Sequence, residues 1–189
     1  MAAAELTLNP TTGDLGARAR VTPPRRPATK LLATLAAVWL LTAIGGIVGV
    51  LAPGLTPIGG PHPALHGSVT DLLSILATNL RLLSVPFALA LLGFQHSRRA
   101  RAFGDVLVGV LVTLKAFRVG LALGRYGLEL IPYIPQLPIE WLALALSATA
   151  WIAARHDAQP RALRTRALQT FLAAAAAASI EALLTPHAR

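Results

Sequence analysis

The chain contains no cysteine, which excludes a disulfide framework and thiol chemistry and leaves the redox compartment open. It is also poor in charge. Asp, Glu, Lys and Arg make up 13% of its 189 residues, against about 25% in a soluble domain of ordinary composition. Catalytic sets are missing as well. The five histidines (His62, His66, His96, His156 and His187) all fall in loops or at the chain end, so none stands with a Ser or Cys and an Asp as a nucleophilic triad. There is no GxxxxGK[ST] phosphate loop and no HExxH zinc motif. His62 and His66 are four apart in GGPHPALHG, but two ligands in a Pro- and Gly-rich loop fall short of the set that a zinc site uses. The chain reads as non-enzymatic, with neither metal nor cofactor.

What the sequence does have is long apolar runs. Hydrophobic residues make up 54% of it, which places it in the membrane class. The net charge of +9 does not indicate nucleic acid, because the Lys and Arg residues cluster between the apolar runs, where they act as topogenic signals. Residues 1–29 are polar and rich in Pro and Arg, and read as a disordered basic cytoplasmic tail. Residues 30–189 read as one all-α transmembrane bundle. A bilayer-spanning helix needs about 20 apolar residues, and five segments qualify: 31–51, 71–94, 104–124, 138–154 and 167–184. GGIVG at 45–49 reads as a small-residue stretch where another backbone can approach closely, and GLALG at 120–124 reads as helix packing and not a phosphate cradle. Pro53 ends the first segment, Pro86 interrupts the second, and Pro138 opens the fourth. Tyr126, Tyr133, Trp141 and Trp151 fall near segment ends and read as interfacial anchors.

Loop charges set the orientation. With the N-terminus inside, Arg18, Arg20, Arg25, Arg26 and Lys30, then Arg98, Arg99 and Arg101, then Arg155, Arg161, Arg164 and Arg166 all face the cytoplasm. Only Arg125 and Arg189 face outward. The positive-inside rule therefore selects a multi-pass cell-membrane protein with five spans and its C-terminus outside.

Charges inside the spans define the candidate site: Arg81, Lys115, Arg118, Glu140 and Glu181. A charge at a helix centre costs about 2.5–3.5 kcal/mol on the insertion scale, so partners are expected. The sequence suggests that Glu140 and Glu181 pair with Arg81 and Arg118 while Lys115 snorkels, leaving one positive charge over. Asn79 reads as an inter-helix hydrogen-bonding residue.

Three short stretches in fixed order resemble the stage II sporulation protein M family, of which this chain looks like a divergent member. ILATNLRLLSVPFALALLG in the second segment is similar to the family's NNLR...G opening, with Asn79 and Arg81 on matched positions. IPQLPIEW resembles its PHGxxE element, with Pro135 and Glu140 matched and Gln136 and Leu137 where His and Gly are usual. SIEALLTP resembles its closing IEaxxTP, with Glu181 and Pro186 matched. The resemblance covers roughly residues 31–187. It implies a non-enzymatic scaffold or assembly factor at the bacterial envelope, with the lipid bilayer and membrane or envelope proteins as partners, or a second copy in a homo-oligomer. The rival expectation is a small permease, or the membrane subunit of a transporter, with a cationic intramembrane site. Contacts are expected through the spans or the outer loop from Pro53 to Thr70.

Overall fold

The computed structural model describes residues 27–55, 69–156 and 159–184. Most of the basic tail, most of the outer loop after Pro53 (with His62 and His66), and Pro186 lie outside the described residues. Five α-helices follow one another, α1 (Pro27–Leu51), α2 (Val69–Leu91), α3 (Arg98–Tyr126), α4 (Leu137–Ala154) and α5 (Pro160–Leu184). Short 3₁₀ segments, Pro53–Leu55 and Gly127–Tyr133, follow α1 and α3. No strand occurs among the described residues. The first four helices are long and apolar enough to cross a bilayer.

Local chemistry explains the helix ends. Gly93, at φ 78°, closes α2. Its N–H donates to Ala90 O, and Phe94 N–H donates to Leu89 O at 3.1 Å, the paired hydrogen bonds of a left-handed glycine cap. The second helix therefore stops before Phe94, the end expected from hydropathy. Ser97 then caps α3, its hydroxyl accepting from Ala100 N at 3.1 Å, as N-terminal serines do. Arg98, Arg99 and Arg101 lie inside the first turn of α3, and Arg161, Arg164 and Arg166 lie in the first turns of α5, where hydropathy alone puts both groups in connecting loops. Arginine and alanine are good helix formers, so these basic clusters extend the helices beyond their apolar stretches.

The most extensive interface joins α1 to α3, and it is built from backbone. A Cβ on Gly45 would strike Phe117 O, one on Gly49 would strike Leu121 O, and one on Gly120 would strike Thr42 O while lying 2.9 Å from Gly46 N. On Gly124, a Cβ would strike Gly46 O. The small-residue stretches 45–49 and 120–124 therefore pack against each other. Such close backbone contact gives van der Waals packing of the kind that joins helices where no hydrophobic drive operates between them.

The central post is α4. Of its residues, Trp141, Ala143, Ala145, Ser147, Thr149, Ala150 and Trp151 are all nearly inaccessible, and α1, α2 and α5 pack around it. A helix apolar on every side is a buried one. At 18 residues it is about 27 Å long. Small residues let its neighbours close in: Ala174, Ala177, Ala178 and Ala182 of α5 are buried on one stripe of that helix, where α5 meets α4. Ser147 Oγ donates to Leu83 O at 2.6 Å, one turn before Pro86. A hydroxyl from α4 thus ties into α2 beside the proline that interrupts its ladder. Trp141 and Trp151, at 0% and 1% exposure, belong to this core. The expectation that they anchor the bundle at the membrane surface is corrected: each indole is buried against protein, because the neighbouring helices enclose α4 from Ala143 to Trp151 and cover Trp141 as well.

Candidate functional site

Asn79 on α2, Lys115 on α3 and Glu140 on α4 line one cavity of about 220 Å³. Thr78, Leu82, Leu83, Trp141 and Leu144 supply most of the remaining wall, and Ala174 closes it from α5. Lys115 Nζ stands 3.6 Å from Glu140 Oε2, with side-chain exposures of 31% and 13%. Glu140 lies in the first turn of α4, where the helix dipole favours a carboxylate. Glu181, half-buried on α5, interacts electrostatically with both Glu140 and Lys115. Asn79 and Glu140, from two of the three stretches described above, line this cavity together, and Glu181 from the third lies close enough to interact with both of its charges. Pro135, the remaining described motif position outside the helices, is exposed in the turn before α4. Beside it Gln136 is buried, and its Oε1 has no hydrogen-bond partner among the described residues.

The expected pairing of the two arginines is corrected. Lys115, expected to snorkel, is the cation that meets Glu140. Arg81 and Arg118 are exposed, and neither forms an ion pair among the described residues. Azimuth is the reason. Arg81 is two residues from Asn79, hence about 200° round the helix from it, so it faces outward when Asn79 faces the cavity. Arg118 is one turn beyond Lys115 and displaced about 60° round α3, which takes it out of the cleft. The charge count at the cavity also changes, with one lysine against one carboxylate in its lining.

A second polar cluster, which the sequence did not suggest, lies at the other end of α4. Asp105 Oδ1 accepts from Trp151 Nε1 at 2.8 Å and meets Arg155 Nη1 at 3.0 Å. Gly104 makes room, since a Cβ there would strike Trp151 Cζ2. The available signal was an aspartate inside the apolar third segment together with Trp151 and Arg155, four apart on α4 and so on one face. Nearby, Arg166 Nη1 donates to Thr149 Oγ1 at 2.7 Å. Among the described residues no three His, Cys, Asp or Glu side chains are grouped to hold a metal ion.

The cavity can hold a small polar group or waters beside one ammonium and one carboxylate. It presents no nucleophile paired with a base. No family model, curated protein or solved structure matches the chain.

Proposed function

We propose that this chain is a five-span integral membrane protein, N-terminus inside and C-terminus outside, that works without catalysis as a scaffold or assembly factor at the cell envelope. That is the role implied by the resemblance of its three motif stretches to the stage II sporulation protein M family. In this reading α5 is the fifth span, packed along α4 with its arginine-bearing first turns at the inner surface.

One observation carries the proposal: Arg81 and Arg118 sit bare on the outside of otherwise apolar spans. Each costs about 2.5–3.5 kcal/mol against lipid at a helix centre, and Glu140 and Asp105 are engaged with Lys115 and Arg155 instead. A neighbouring span that brings an acidic or carbonyl-rich face to α2 and α3 removes that cost, and no lipid tail does. The neighbour is a membrane or envelope protein, or a second copy of this chain.

Co-purification from native membranes tests the proposal. The wild-type chain should carry a stoichiometric membrane partner, or run as a defined oligomer. Arg81→Leu/Arg118→Leu should lose that partner while remaining folded and extractable. An identical set of co-purifying proteins from both would defeat the proposal.

The Lys115–Glu140 cavity supports a second reading, as a small permease or transporter subunit with the ion pair on a solute path. Flux across proteoliposomes that depends on Lys115 would favour it. Silence towards every anion and zwitterion tried would remove it.

A further inference from the structure

A groove of about 360 Å³ lies between the N-terminal turns of α1 and α5 against α4. Its lining changes character along its length. Thr165, Arg166 and Gln169 of α5 form a polar side, while Leu31 of α1 and Leu146, midway along α4, form an apolar one. Arg166 is fixed from within the bundle by its hydrogen bond to Thr149. That bond uses one of the five N–H donors of a guanidinium and leaves the others for an external acceptor. Arg161 and Arg164 stand exposed on the same first turns of α5, and Lys30 precedes Leu31 on α1. Neither α1 nor α5 up to Ile180 contains an acidic residue.

We propose that this groove is a binding site for one anionic phospholipid, with the phosphate on Arg166, Thr165 and Gln169 and an acyl chain along Leu31 and Leu146. A basic pocket between helices at the inner surface is the arrangement that holds acidic head groups. The graded lining distinguishes it from a site for free phosphate, which has no use for the leucines. The proposal rests on α5 crossing the bilayer beside α4, as inferred above, but needs no protein partner.

The test is native mass spectrometry of the full chain in detergent after lipid removal. Phosphatidylglycerol, phosphatidylcholine with the same acyl chains, and inorganic phosphate are each added back. Phosphatidylglycerol should be retained about fivefold or more over phosphatidylcholine, the effect of roughly one basic side chain near an acidic head group, and phosphate should not displace it. Ala162→Trp fills the groove from an exposed position that lines it, and should abolish the preference; Arg166→Gln should reduce it. Circular dichroism on each variant reports folding, and Gln169→Leu, also at an exposed position, provides a second change in the lining. Equal retention of the two lipids would overturn the proposal, as would displacement by phosphate or an unchanged preference in folded Ala162→Trp protein. Failure to find a protein partner would leave this result untouched.

Discussion

Lys115 of α3 and Glu140 of α4 face each other across 3.6 Å in a cleft that α2 and α5 complete. The pair ties α3 to α4 at the end opposite the Asp105–Trp151 contact, and it puts the cation of this cavity beside a carboxylate at a helix N-terminus.

Breaking this pair on one side should destabilise the bundle. Glu140→Leu leaves the Lys115 ammonium in a largely apolar cleft. A fully buried pair costs about 3–5 kcal/mol to break, and the 31% exposure of Lys115 reduces the expectation to about 2 kcal/mol. The double variant Lys115→Met/Glu140→Leu should recover to within about 1 kcal/mol of wild type, because well-packed apolar replacements of buried pairs are close to neutral. Unfolding in detergent across the four proteins gives the coupling directly.

The α1–α3 contact predicts a sharp contrast between two glycines of one helix. At Gly120 a methyl group would enter the backbone of α1 at Thr42 O, and backbone cannot step aside. Gly120→Ala should cost about 2 kcal/mol through overpacking. At Gly109 a methyl group would meet nothing within 4 Å, so Gly109→Ala should be neutral or stabilise by about 0.5–1 kcal/mol through helix propensity. Thermal midpoints of the two variants check the pair.

At the other end of α4, Asp105→Ala removes the acceptor shared by Trp151 and Arg155. With roughly a third of each charged side chain exposed, the loss should be about 1–2 kcal/mol. Asp105→Asn keeps an oxygen for the indole and should lose less. If the two substitutions proved equally damaging, the charge on Asp105 would be the whole of its contribution. If neither moved the unfolding midpoint, the cluster would be incidental.

The five-span topology has a clean assay because the chain has no cysteine of its own. A membrane-impermeant thiol reagent on intact cells should label Leu128→Cys, and should label His96→Cys and Arg161→Cys only after permeabilisation. A reporter fused to the C-terminus should read outside. An inside C-terminus would return α5 to the inner surface and remove the fifth span.

The sequence made the helices legible, but not the directions their side chains face. Long apolar runs and paired small residues gave five segments and both halves of the α1–α3 contact, because length and residue size are one-dimensional properties. Helix ends drifted where capping decided them, as at Gly93 and Ser97. The charged site was only half legible. Lys115, Glu140 and Asn79 do line one cavity, with Glu181 in electrostatic reach, but which cation meets Glu140 depends on rotation about helix axes, and that placed Arg81 and Arg118 outside. Trp141 and Trp151 misled for a related reason: an aromatic near a segment end can face lipid or protein, and only the enclosure of α4 decides between them. Its small residues, alanines at 143 and 145 and then Ser147 to Ala150, were the available clue.

Site-specific photo-crosslinking in living cells tests the bare-arginine account most directly. A photoreactive residue at Leu114, exposed and four residues before Arg118, samples the arginine-bearing face of α3; one at Gly109, about 180° round the helix from Arg118, samples the opposite face. The account predicts a discrete protein adduct from position 114, absent from position 109 and lost when Arg118→Leu is introduced into an otherwise folded chain. Adducts with lipid alone from both positions, or a protein adduct from 114 that is undiminished by Arg118→Leu, would contradict it.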